Sequence, residues 1–124
     1  MGFLVVFVGS GIGGMLRHGV GLLSLRWFGP VFPFGTLAIN IVGSALMGLV
    51  AALFSAWNIG HQDLRLFLTT GIIGGFTTFS TFSLDAMTLW HRGEHAAAIA
   101  YVLASVVLSL TALAIAVLLI RRIA

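Results

Sequence analysis

The sequence contains very little that can carry a charge or form a cross-link. Its 124 residues include no cysteine, and only 7% are Asp, Glu, Lys or Arg. The absence of cysteine excludes disulfides and thiolate metal sites. The six basic residues are all arginine and form no basic run, so no nucleic-acid partner is expected. What remains is 60% hydrophobic, with a mean hydropathy of +1.16, and this composition is typical of an integral membrane protein.

Four stretches are apolar enough for a spanning helix, which needs roughly 20 residues. They are predicted at about 3–25, 34–56, 64–89 and 96–120. Trp27, Trp57 and Trp90 each fall at a predicted span end, where interfacial tryptophans are enriched. The connections are short, so a single four-helix transmembrane domain covering residues 1–124 is expected. The predicted fold class is an all-α membrane protein.

Arginine counts give almost no orientation signal. One side of the membrane would carry Arg65, Arg121 and Arg122, and the other would carry Arg26 and Arg92. Three against two is a weak bias under the positive-inside rule. Insertion in both orientations and insertion in one fixed orientation therefore stay equally open on charge alone.

The third predicted span has the wrong chemistry for a helix that faces lipid. Its centre reads TTGIIGGFTTFSTFSLD (69–85), with seven hydroxyl side chains between Thr69 and Ser83. Glycines at 71, 74 and 75 precede the TTFSTF run. Irregular backbone persists in a membrane only inside protein or beside water. The pattern predicts a broken third helix next to a conduction or binding path.

Small residues recur at the spacing that lets membrane helices approach closely. This pattern occurs in Gly9-x-x-x-Gly13, Gly71-x-x-x-Gly75 and Ser44-x-x-x-Gly48. The signal is weak in a chain with 16 glycines, so it predicts tight packing, within the chain or in a dimer, without naming the partner.

Two polar residues lie deep in predicted spans. An unpaired Arg17 would cost at least a few kcal/mol there, and an electropositive vestibule that recruits anions is the favoured interpretation. A snorkelling Arg17 near lipid phosphate is the alternative. Asn40 is the only amide in the second span, and a functional role is favoured for it over helix–helix hydrogen bonding.

Polar side chains form stripes at helical spacing on two other spans. The stripes are Thr36, Asn40 and Ser44 on the second span, and Tyr101, Ser105 and Ser109 on the fourth. Both stripes could line one path with the third span's hydroxyls. Membrane hydroxyls often bond the carbonyl four residues earlier, and for Ser105 alone that interpretation is preferred.

Phe79 and Phe82 alternate with hydroxyl residues in TTFSTF, which is unusual for simple packing. The positive edge of a phenyl ring can contact an anion without trapping it, whereas the face suits a cation. The positive charge of Arg17 favours an anion over a cation as the ion that meets these rings. The scattered acids and histidines form no HExxH-like motif or nucleophile–base set, so catalysis is not expected.

Three segments together resemble the CrcB/Fluc family of fluoride channels over nearly the whole chain. They are GGMLR (13–17), GTLAINIVGS (35–44) and GIIGGFTTFSTFS (71–83). The resemblance implies a dual-topology, antiparallel homodimer with two pores. It also implies passive, selective fluoride export across the cytoplasmic (inner) membrane, which confers fluoride resistance.

The resemblance further implies roles for individual residues. Pore positions are Asn40, Phe79, Ser80, Thr81, Phe82, Tyr101 and Ser109, with Arg17 in the vestibule. A structural Na⁺ at the dimer axis would be bound through main-chain carbonyls at Gly74 and Thr77. Two residues depart from the family pattern: His18 replaces a frequent aromatic residue, and Asp85 replaces a common Glu. Both departures leave the pore motif intact.

Two other functional classes fit a chain of this size. A small multidrug transporter would need a carboxylate in the first span, and this first span has none. A structural or assembly subunit without transport activity would tolerate alanine at Asn40 and at the TTFSTF hydroxyls.

Overall fold

The computed structural model describes residues 1–124, and its regular structure is entirely helical. The elements are α1 (Gly2–Phe28), α2 (Phe34–Ala56), α3 (Gln62–Leu66), a π-helical segment (Phe67–Ile73), α4 (Gly74–Phe76), α5 (Phe79–His91) and α6 (His95–Ile123). The predicted all-α membrane class is confirmed. The second span begins and ends where hydropathy predicts, and the first and fourth extend a few residues further.

Three of the helices, α1, α2 and α6, are long and apolar enough to cross a membrane. The third predicted span is instead divided into shorter pieces, so none of its helices reaches that length alone. Its division agrees with the broken helix expected from the sequence.

The helical backbone is interrupted at Thr77 and Thr78. Both residues are extended, with φ and ψ of −76° and 154° at Thr77 and of −150° and 120° at Thr78. Thr78 then caps α5, because its Oγ1 accepts a hydrogen bond from the backbone N–H of Thr81 at 3.2 Å. The interruption therefore follows the glycine cluster and does not coincide with it.

The glycines of the third segment allow α1 to approach its backbone. A methyl group added at Gly75 would lie 2.6 Å from the carbonyl oxygen of Ser10, and one at Gly13 would collide with the carbonyl of Ile72. A methyl group at Gly9 would lie 2.8 Å from the Cα of Gly71. Both GxxxG motifs thus pack against each other within one chain, which confirms the predicted tight packing and identifies the partner helix.

The remaining packing joins α2 and α5 to α6. Gly48 lets α2 approach α6, since a methyl group there would lie 2.6 Å from the carbonyl oxygen of Leu113. A small core of Phe82, Leu89, Ala98 and Tyr101 joins α5 and α6. Only 17 of the 124 residues are buried within one chain, so most apolar side chains face outward, where lipid or another chain can cover them.

Candidate functional site

A cavity of about 320 Å³ lies beside the interruption and is called the Asn40 cavity below. Its polar lining comes from α2, the interruption and α6: Asn40, Ser44, Thr77, Thr78, Ser105 and Ser109. The side chains of Phe79 and Phe82 complete this side of the cavity. The two predicted polar stripes thus meet beside the third crossing, although Thr36 and Tyr101 do not line this cavity. No charged side chain lines it.

Asn40 makes two hydrogen bonds with the peptide groups of Thr78. The backbone N–H of Thr78 donates to Asn40 Oδ1 at 2.9 Å, and Asn40 Nδ2 donates to the carbonyl oxygen of Thr78 at 2.9 Å. These bonds satisfy both peptide groups of an extended residue within a membrane crossing, where unpaired backbone groups are costly. No sequence pattern distinguishes Thr78 from the neighbouring hydroxyl residues as the one that Asn40 binds.

The rings of Phe79 and Phe82 are neighbours in the Asn40 cavity. Their centroids are 5.5 Å apart and their planes are tilted by 49°. Phe82 is also packed against the Tyr101 ring, with a centroid distance of 5.3 Å, and is held in the core between α5 and α6. Phe79 lies on the outer surface of the chain.

The hydroxyl groups of Ser105 and Ser109 are buried and have no hydrogen-bond partner within the chain. Four other hydroxyls do bond the carbonyl four residues earlier: those of Thr69, Thr77, Ser83 and Thr88. The preferred interpretation of Ser105 as such a self-bonded hydroxyl is therefore wrong. Its Oγ lies beside the Asn40 cavity. A buried hydroxyl without a partner in the chain is expected to bind a water molecule or a ligand there.

Three other predicted pore residues lie away from this cavity. Ser80 is exposed, and its Oγ lies 3.4 Å from the Oγ1 of Thr78. Thr81 faces a different cavity, described next. Tyr101 is fully buried in the core, and its hydroxyl donates to Asp85 Oδ2 at 3.2 Å. Their assignment to an ion path stays a prediction.

A second cavity, of about 470 Å³, is called the Arg17 cavity. Its polar lining includes Arg17, His18, Ser24, Thr36, Thr78, Thr81 and Asp85. Arg17 is half-buried and makes no side-chain hydrogen bond or ion pair, because the single ion pair of the chain joins Arg92 and Glu94. Thr78 borders both cavities, so the Arg17 cavity and the Asn40 cavity lie on two sides of the same interruption. An unpaired guanidinium here fits the predicted vestibule.

The carbonyls of Gly74 and Thr77 have lost the donors that a continuous helix would supply. The N–H of Thr78, four residues after Gly74, donates to Asn40, and the N–H of Thr81, four after Thr77, donates to the Thr78 side chain. Gly74 is also exposed on the surface of the chain. A cation here would meet two main-chain oxygens that have no helical donor. The two predicted positions fit such a cation.

The sequence is similar to one protein family and to several named proteins. A family described as CrcB-like protein, Camphor Resistance (CrcB), matches residues 4–117. A protein of Granulibacter bethesdensis named Fluoride-specific ion channel FluC is 53% identical over 121 residues, which cover 98% of this chain and 95% of that protein. FluC of Methylobacterium nodulans is 60% identical over 103 residues, covering 83% of this chain and 82% of that protein. FluC 2 of Nitrobacter hamburgensis is 46% identical over 122 residues, covering 98% of each.

Proposed function

This chain belongs to the CrcB family, and on that premise we propose that it is a fluoride-specific ion channel. The observation that supports this most directly is the pair of buried, unpartnered hydroxyls of Ser105 and Ser109 beside the rings of Phe79 and Phe82. The chain is a channel and not an enzyme. Passive fluoride export through it would protect the cell from fluoride.

The Asn40 cavity has the chemistry that a small anion needs. Moving a bare ion into low dielectric costs tens of kcal/mol by Born arguments, so the pore must replace the lost water with other donors. Ser105 and Ser109 supply hydroxyl donors, and the phenyl edges of Phe79 and Phe82 supply weak positive potential. The absence of charged side chains from the cavity lining favours release, because conduction requires binding that is weak enough to reverse.

Arg17 would act before the ion enters the Asn40 cavity. Its half-buried, unpaired guanidinium raises the local concentration of anions in the Arg17 cavity. Thr78 borders both cavities, so an ion recruited by Arg17 would be held next to the interruption. Ser80, Thr81 and Tyr101 stay proposed as pore residues on the family resemblance, and of the three only Thr81 lines one of the two cavities.

The functional unit would be an antiparallel homodimer with two pores. Phe79 is 78% exposed on a single chain, although its ring borders the cavity, and in a homodimer the second chain would cover that side. The weak arginine bias permits the two copies to insert in opposite orientations. Each pore would then be built from residues of both copies.

The family resemblance also implies a structural Na⁺ at the dimer axis, bound by the main-chain carbonyls of Gly74 and Thr77. When bound, the ion would supply positive charge between carbonyl oxygens that have no helical donor. Gly74 is exposed and carries no side chain, so the corresponding residues of two chains can approach one another there. The ion would thus stabilise the dimer.

The proposed site of action is the cytoplasmic (inner) membrane. A negative-inside potential drives an anion outward by about 2.3 kcal/mol per charge per 100 mV, so export needs no other energy source.

Fluoride efflux from liposomes that contain the purified chain tests the proposed function. Vesicles loaded with potassium fluoride are diluted into fluoride-free buffer, valinomycin is added, and a fluoride electrode records the release. The expected result is rapid fluoride release and negligible chloride release from matched chloride-loaded vesicles. Equal release of both halides would contradict fluoride specificity.

A further inference from the structure

Thr78 places an extended peptide in the middle of a membrane crossing. Neither its N–H nor its carbonyl continues a helix, and both are satisfied by one side chain, the amide of Asn40 in α2. The two residues are 38 positions apart in the sequence, so this pair ties the interruption to a different helix. Without it, two backbone groups would lose their partners in a region where water is scarce.

The same two bonds fix the orientation of the Asn40 amide. A peptide N–H can only donate and a peptide carbonyl can only accept, so the oxygen of Asn40 must face the Thr78 N–H. The nitrogen must face the Thr78 carbonyl. If the amide were flipped, its nitrogen would face the Thr78 N–H, which is also a donor. Its oxygen would face the Thr78 carbonyl, which is also an acceptor. The Thr78 peptide, and not the content of the cavity, therefore decides which way the amide points.

One N–H of Asn40 is left over after this pairing. A primary amide carries two N–H donors, and the chain uses only one of them, while the Thr78 N–H occupies one of the two lone pairs of the amide oxygen. Asn40 borders the Asn40 cavity together with the unpartnered hydroxyls of Ser105 and Ser109. We propose that the Thr78 peptide is a positioning group, which makes Asn40 offer its spare N–H, and not its carbonyl oxygen, to the permeating ion.

The consequence is charge selectivity set by the backbone. An amide that offered its oxygen would favour a cation, whereas an amide that offers N–H favours an anion. The interruption of the third crossing thus has a second use, because it exposes the peptide groups that orient Asn40. This inference rests on the proposed function and specifies how one donor of the same site is held.

Replacing the Thr78 peptide N–H by an ester oxygen tests this role, because the Thr78 side chain and Asn40 both stay intact. The matched control is an ester at Ala86, inside α5, which removes one helical hydrogen bond away from the Asn40 cavity. We expect the Thr78 ester to conduct fluoride roughly tenfold more slowly. Its reversal potential in a sodium fluoride gradient should shift toward the sodium potential, whereas the Ala86 ester keeps that of the unmodified chain. A Thr78 ester that matches the control in both measurements overturns the proposal.

Amide hydrogen exchange tests the pair without any fluoride. We expect Asn40→Ala to speed exchange of the Thr78 amide by at least about tenfold, since a hydrogen bond of ordinary strength is lost. Ser44→Ala, one turn further along the same face of α2, should leave that amide unchanged. If the Thr78 amide exchanges at the same rate in Asn40→Ala as in the unmodified chain, the hydrogen-bonded pair of Asn40 and Thr78 is overturned. Absence of fluoride flux in the unmodified chain would instead contradict the proposed function, whatever the exchange result.

Discussion

Phe79 and Phe82 lie one helical turn apart with ring centroids 5.5 Å from each other, yet their surroundings differ sharply. Phe82 is 9% exposed and belongs to the core that joins α5 and α6, whereas Phe79 is 78% exposed. The two rings of one motif therefore have different tasks. Phe82 is held by the chain itself, whereas Phe79 borders the Asn40 cavity and leaves most of its ring for another surface to cover.

Phe79→Ile should slow fluoride efflux by roughly tenfold while thermal stability in detergent stays within about 0.5 kcal/mol, because an exposed ring contributes little to folding. Phe82→Ile should slow efflux as well, and should also destabilise the chain by about 1–3 kcal/mol through mispacking of the core. Efflux and thermal unfolding are measured on the same preparations.

The control for both variants is Phe3→Ile in α1, where the ring is 95% exposed and lines neither the Asn40 cavity nor the Arg17 cavity. It should leave efflux and stability unchanged. Normal flux in both Phe79→Ile and Phe82→Ile would remove the rings from the mechanism.

Ser105→Ala should reduce fluoride flux without destabilising the chain. The Ser105 hydroxyl is buried and makes no hydrogen bond within the chain, so deleting it breaks no intramolecular contact and is nearly neutral for folding. Thr88→Val is the matched control, since that hydroxyl bonds the carbonyl of Leu84 and faces outward. A Ser105→Ala variant with full flux would show that the unpartnered hydroxyl is not part of the ion path.

Gly13→Ala should destabilise the chain by about 1–3 kcal/mol, because the added methyl group would collide with the carbonyl of Ile72, and backbone cannot move aside cheaply. Gly19→Ala in the same helix meets nothing within 4 Å and should be neutral or stabilising by up to about 1 kcal/mol. Chemical or thermal unfolding in detergent measures both. Equal effects of the two substitutions would contradict the close α1 packing.

Tyr101 and Asp85 should show a coupling free energy of about 1 kcal/mol in a double-mutant cycle. The Tyr101 hydroxyl donates to Asp85 Oδ2 at 3.2 Å, and such a bond links the core of α6 to α5. The cycle uses Tyr101→Phe, Asp85→Ala and the double variant, with unfolding free energy as the readout. Additive effects would mean that this bond does not hold α5 and α6 together.

Hydropathy and tryptophan position predict the spans well, because a membrane imposes length and apolar composition on each crossing. The stripe of Asn40 and Ser44 and the stripe of Ser105 and Ser109 meet in one cavity, as helical spacing indicates. The interruption is less predictable. Seven hydroxyl side chains occupy residues 69–83, and the sequence does not reveal which of them stands where the helix stops.

The Asn40–Thr78 pair could not be predicted for the same reason. It uses backbone groups that become available only where helical bonding ends, and periodicity describes side chains alone. The need for glycine also depends on the packing partner. Gly75 has no room for a side chain because Ser10 of α1 lies against it, and not because the chain turns there. Dual insertion, the homodimer and the Na⁺ site involve a second chain or an ion, and they stay predictions.

Electrical recording across a planar bilayer tests whether the chain conducts fluoride in preference to chloride. Purified chain is reconstituted with sodium fluoride on one side of the bilayer and sodium chloride at equal concentration on the other. We expect a steady current whose reversal potential lies far from zero, with the sign that identifies fluoride as the permeant ion. A reversal potential near zero in functioning channels, or no current in bilayers where incorporation is verified independently, would contradict this expectation.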